Sequence, residues 1–225
     1  MSLPLIVLAV AAALALTTSA LPHYRLRRLA QFQFPEHVAR RVRNTYPHLD
    51  DAGCAAVMEG LRQFFAVSIH ARGRRVAMPS QAVDAAWHEF ILSTRAYGDF
   101  CRGTLGRFLH HTPAEAMRTP TQAQDGIRRA WRLACRREGI DPGRPDRLPL
   151  LFALDARLAI PGGFTYALNC RRRAVGTTGA GAADGGGSFC AGHIGCSSGG
   201  GGCSGDAGGD GDGGCSGDGG GCGGD

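Results

Sequence analysis

The sequence contains no lysine; all 25 of its basic residues are arginine. No stretch alternates apolar and polar residues over five or more positions with β-branched enrichment, which argues against a β-sandwich or barrel. His88-Glu89 is followed by Leu92 where a zinc-protease helix would carry its second histidine, so that motif is excluded. The last five cysteines, Cys190, Cys196, Cys203, Cys215 and Cys222, lack the two-residue spacers of a zinc ribbon. Gly208–Gly213 reads GGDGDG, so the repeat that binds calcium in β-helices fails at its last position. No interleaving of aromatic and basic residues supports nucleic-acid binding.

What is present is sharply divided along the chain. Of the 225 residues, 1–22 are apolar, 23–173 are mixed and charged, and 174–225 hold 24 of the 35 glycines. All arginines and 13 of the 19 acidic residues lie in the middle segment, which therefore carries a net charge of +12. That segment, roughly 150 residues, suffices for one ordinary domain. The remainder, built of Gly, Ser, Asp and Cys, has too little apolar surface to offset the entropy of ordering. It is expected to be a disordered tail, whose cysteines have the chemistry to hold soft metals loosely or, if exported, to form disulfides.

From Leu3 to Leu21 run 19 residues without a charge. As a helix they cover about 30 Å, the thickness of a hydrocarbon core. The expectation is a transmembrane anchor over residues 1–22. Arg25, Arg27 and Arg28 follow at once and nothing basic precedes it, so the positive-inside bias puts domain and tail on the cytoplasmic side. Thr18-Ser19-Ala20 offers the alternative of a cleaved signal and export.

The middle segment reads as an all-α bundle of about five helices. Pro35 opens a helix through EHVARRVRNTY, and Asp50-Asp51 opens an apolar-periodic run through Cys54, Val57, Leu61, Phe64, Phe65 and Ile69, closed by Gly73. Ser80 is the expected N-cap of a long third helix reaching Phe100. Thr112-Pro113-Ala114-Glu115 predicts a short helix, Thr121–Glu138 another ending at Gly139, and residues 149–159 a last one. Cys54, Cys101, Cys135 and Cys170 stand singly, as small buried hydrophobes do.

The third helix carries the candidate chemistry. Val83, Trp87, Phe90, Thr94, Tyr97 and Cys101 form its core stripe, and beside it Asp84 and His88 stand one turn apart. His110-His111 follows Gly103, Gly106 and Phe108, where the chain can turn back over the helix. Asp84, His88, His110 and His111 are thus the candidate ligands of zinc or iron, with Cys101 a weaker one, and Glu89 a base for metal-bound water. The structural alternative is an interior histidine held by its aspartate.

The run Val83–Pro113, with Asp84, Trp87-His88, Tyr97, Cys101 and His110 or His111, resembles the glycine-rich domain-containing protein family of plants and bacteria. The Gly-rich tail is a second shared trait. The resemblance implies a helical domain without an established enzymatic activity. The chain departs from the plant members in its shortness and its N-terminal apolar segment. Two functional classes follow. One is a membrane-anchored interaction or scaffold module with a protein partner. The other is a metal-binding protein, or a metal-dependent hydrolase, using the Asp/His/His group. A basic helix face, Arg128, Arg129, Arg132, Arg136 and Arg137, has anionic lipid headgroups as its expected counter-charge.

Overall fold

The structure is a computed structural model. It describes residues 3–111, 120–168, 188–190 and 194, of which the side chains at 3, 5, 6, 9–19, 120–123 and 188–190 are outside the description. The described residues form α1 (Leu3–Gln31), α2 (Glu36–Thr45), α3 (Asp51–His70), α4 (Gln81–Leu92) and α5 (Thr94–Phe100). A π-helical turn (Cys101–Leu105) follows, then α6 (Pro120–Glu138) and α7 (Leu150–Arg157). Two three-residue strands, β1 (Thr165–Ala167) and β2 (Ser188–Cys190), pair in parallel. The fold is mostly helical, as the periodicity predicts, with more and shorter helices. The small strand pair is a correction: three residues are too few to show an alternation. β2 and the buried Ile194 also lie beyond residue 173, where the tail was expected to begin. The short helix expected at Thr112-Pro113-Ala114-Glu115, Cys170 and the stretch from 195 onward fall outside the described residues.

α3 is the central element and packs against α1, α2, α4, α6 and α7. Its sequence explains why. Asp50 sits in extended backbone and its side chain accepts from the Gly53 amide at 2.7 Å, a standard N-cap. Val57, Leu61, Phe64, Phe65 and Val67 are buried around it. Arg72 (φ 49°) and Gly73 (φ 88°) then turn left-handed and stop the helix. Gly60 permits the close approach of two neighbours. A Cβ there would lie 2.7 Å from Val83 Cγ2 and 2.9 Å from Leu154 Cδ1.

The aromatic residues concentrate in one cluster. Phe32, Phe34, Phe65, Phe90 and Phe100 touch one another at ring-centroid distances of 4.6–6.3 Å, and Phe64 and Phe65 extend the cluster to Trp87. Such pairs contribute about 0.5–1.5 kcal/mol each beyond their burial.

Two expectations about helices change. The helix expected from Ser80 to Phe100 is broken at Ser93 (φ −81°, ψ 63°), whose hydroxyl lies 2.6 Å from His37 Nε2 of α2. A serine with an outside partner competes with the helical ladder, and here it wins. At the other end, α1 continues without interruption past Leu21 to Gln31, with Pro22 inside it, and its second half packs on α3 and the π-helical turn. Apolar segment and domain therefore share one helix. Among the described residues no helix is long and apolar enough to cross a membrane, and most side chains of the expected span lie outside the description.

The start of α4 is fixed from a distance. Ser80 caps it as expected, accepting from the Val83 amide at 3.2 Å. Asp155 of α7, 3% exposed, completes the cap. Its carboxyl accepts from Ser80 Oγ (2.6 Å), the Gln81 amide (2.7 Å), the Ala82 amide (3.3 Å) and the Phe164 amide (2.9 Å). Its position at a helix N-terminus adds a favourable dipole interaction.

Asp155→Ala orphans these donors and should cost about 3 kcal/mol in chemical denaturation of the full chain. Gly60→Ala should cost about 1–3 kcal/mol by overpacking, with the α4 cap intact.

Candidate metal centre

α4 buries Val83, Trp87 and Phe90 against α3, which places Asp84 and His88 at the rim of the core. Both sit on one face, one turn apart. The chain leaving the π-helical turn passes back over this face and brings His111 to the same carboxylate. His111 Nε2 lies 3.0 Å from Asp84 Oδ1, and His88 Nδ1 lies 3.5 Å from Asp84 Oδ2. The two imidazoles are neighbours, with ring centroids 4.1 Å apart. One donor atom from each of the three residues lies within 4.8 Å of the others. The side chains are 51% (His88), 29% (Asp84) and 14% (His111) exposed, so the group is anchored on one side and open to solvent on the other.

What holds His111 there is a relay of buried hydrogen bonds. Trp87 Nε1 donates to the Tyr97 hydroxyl at 3.1 Å, and that hydroxyl donates to the Leu109 carbonyl at 2.5 Å. The Trp87 ring meets the His111 ring at 4.7 Å, inclined by 64°. Ten residues of straight helix rise about 15 Å, so the break at Ser93 is what returns Tyr97 to Trp87. Burial pushes the Tyr97 phenol far above its ordinary pKa, opposed by the hydrogen bond from Trp87. The hydroxyl therefore stays protonated and remains a donor.

The structure brings Asp84, His88 and His111 together and leaves the other candidates apart. His110 is exposed and packs against the Phe108 ring at 4.8 Å. Cys101 is fully buried beside Tyr97 and the Leu109 backbone, and burial raises its thiol pKa, keeping it in the unreactive protonated form. Glu89, the expected base, pairs with Arg41 of α2 at 3.5 Å. Of the basic face on α6, Arg129 donates to the Arg75 carbonyl and Arg137 to Gln63 Oε1, so part of it is tied to the domain itself. Sequence reasoning placed Tyr97 on the core stripe but missed its bond to the His111 loop. It also missed Asp155, a lone acid in an apolar run, which was the available signal.

Fold and site define a helical domain with a solvent-facing Asp/His/His group at the edge of its core. The chain belongs to the UCP032817-like family, whose match spans residues 24–194, and this family has no established activity. That finding overturns the resemblance to glycine-rich domain-containing proteins. The spacing behind the resemblance is a packing requirement here: Trp87, Tyr97 and Cys101 are interior residues of the bundle. No curated protein and no solved structure matches the chain.

Tyr97→Phe leaves the Trp87 donor unsatisfied and releases the Leu109 carbonyl, and should cost about 1–3 kcal/mol. Limited proteolysis should show faster cleavage between Gly106 and His111 in this variant than in the parent.

Proposed function

We propose that Asp84, His88 and His111 bind one divalent transition metal, zinc or iron, at the surface of a domain tethered to a membrane by its N-terminal apolar segment. The observation that carries the reading is a single carboxylate shared by two imidazoles from separate stretches of chain. Donor atoms around a tetrahedral zinc stand roughly 3.3 Å apart, from ligand distances of about 2.0–2.1 Å, and the separations at Asp84 bracket that value. Two imidazoles and one carboxylate suit both zinc and iron(II). When bound, such a metal would keep positions open to solvent and supply an acidified water. Glu89, the expected base, pairs with Arg41, so we favour metal binding itself over hydrolysis.

The competing reading makes the trio a polar brace in an interaction or scaffold module. His88 weighs against it. The contact between the half-exposed His88 imidazole and the Asp84 carboxylate contributes about 0–1 kcal/mol, too little to explain the arrangement as a brace.

Metal analysis of the full chain in non-ionic detergent decides between them. The expected result is one equivalent of metal, with affinity falling about tenfold or more in His88→Ala, His111→Ala and Asp84→Asn, the loss typical of removing a ligand or its support. His110→Ala should bind like the parent. A chain that takes up no metal, or variants that bind equally well, would return the trio to a brace.

The tether rests on the uncharged run Leu3–Leu21 and on the arginines that follow it, which favour a cytoplasmic domain. The chain should stay in the membrane pellet after alkaline carbonate extraction, and a reporter fused after Asp225 should be active only on the cytoplasmic side. Release by carbonate, or recovery of a chain starting near Leu21 outside the cell, would instead indicate signal cleavage and export.

A further inference from the structure

A concavity of about 380 Å³ lies where α1 leaves its apolar run, between the C-terminal end of α3 and the end of the π-helical turn. Leu21 and Arg25 line it from α1, Ser68 and Arg72 from the end of α3, and Gly106 and Arg107 from the turn. Three arginines line one small space. Among the described residues none of the three is in an ion pair, although arginines elsewhere in the domain pair with Asp51, Glu59, Glu89, Asp99 and Asp146. Cations gathered without a carboxylate repel one another, and an anion in their midst removes that cost.

One feature of the lining points to a ligand. Ser68 is 2% exposed, and its Oγ is the one buried side-chain polar atom among the described residues without a hydrogen-bond partner. A buried hydroxyl left unpaired is destabilising, so such orphans call for an explanation. Gly106, at φ 70°, lies so close under the Arg25 guanidinium that a Cβ would collide with it. Any other residue there would be strained and would drive Arg25 from its place. Arg107 also lines the pocket, and its one hydrogen bond among the described residues is to the Ser68 carbonyl, at a long 3.5 Å.

We propose that this pocket binds a phosphate group, held by Arg25, Arg72 and Arg107 and accepting a hydrogen bond from Ser68. Guanidinium forks match phosphate oxygens bidentately, and a serine hydroxyl supplies the remaining donor. Leu21 and Pro22 put the pocket immediately after the apolar run, which makes the phosphodiester of an anionic phospholipid the favoured source. That source rests on the tether proposed above; the phosphate site itself does not.

The experiment is a thermal-unfolding titration of the full chain in maltoside micelles at fixed ionic strength. The probes are dihexanoylphosphatidylglycerol, dihexanoylphosphatidylcholine and inorganic phosphate. A saturable rise in Tm with phosphatidylglycerol, weak or absent with the other two, is expected and assigns a lipid headgroup. An equal saturable rise with inorganic phosphate supports the site, assigns free phosphate as the source, and leaves the tether to the carbonate extraction. Arg25→Gln/Arg107→Gln should weaken the response about tenfold, as should Ser68→Ala and the exposed Arg72→Gln, which guard against a misfolded double variant. Arg95→Gln/Arg136→Gln removes the same charge from exposed positions and should respond as the parent does. His88→Ala should also respond like the parent, separating this site from the metal centre. The proposal is overturned if no probe gives a saturable response, or if the Arg95/Arg136 variant loses as much as the Arg25/Arg107 variant.

Discussion

A buried indole donates to a buried phenol, and the phenol donates to the carbonyl of Leu109. The path of the chain after the π-helical turn depends on this relay. Each link is costly to leave unmade, since indole and phenol sit in the aromatic core away from water. The relay therefore fixes the returning loop within hydrogen-bond tolerance of α4. His111 falls onto Asp84 because Leu109, two residues earlier, has no other place to be. The break at Ser93 belongs to the same arrangement, because a continuous helix would carry Tyr97 out of reach.

The core has a second fixed point at the N-terminus of α4, where Asp155 reaches across from α7 to complete the cap begun by Ser80. α4 is thereby held at its start by a buried carboxyl and along its length by aromatic packing. The candidate ligands Asp84 and His88 lie between these restraints. A group of side chains built on a rigid helix, with His111 brought in by a braced loop, is held in a fixed geometry.

Arginine, the sole basic residue type besides histidine, is used in ways lysine would serve poorly. Arg62 donates to the Leu29 and Phe32 carbonyls at the end of α1 and lies over the Phe34 ring. Arg137 and Arg129 tie α6 to α3 and to the chain before α4. A planar fork with several donors satisfies carbonyls and stacks on rings together. Among the described residues, five arginines pair with carboxylates and others donate to backbone carbonyls. The arginines around Ser68 are the contrast, gathered with no acid among them.

The sequence by itself determined that the domain is mostly helical and where several of its helices begin and end. Periodicity of three and four gave the helices, Asp50 and Ser80 their starts, and Gly73 and Gly139 their stops, because these signals act over a single turn of chain. It also determined that Asp84 and His88 share a face, since one turn of helix suffices for that. Only the tertiary structure decided which of His110 and His111 joins them. Adjacent residues are indistinguishable until the Tyr97 bond fixes which one faces α4. Likewise the partners of Asp155, Gly60 and Gly106 are not legible locally: Ser80 for Asp155, Val83 and Leu154 for Gly60, and Arg25 for Gly106 all lie on other segments of the chain. The reach of a side chain is a few ångströms, so a sequence reveals only those partners that the backbone itself brings near.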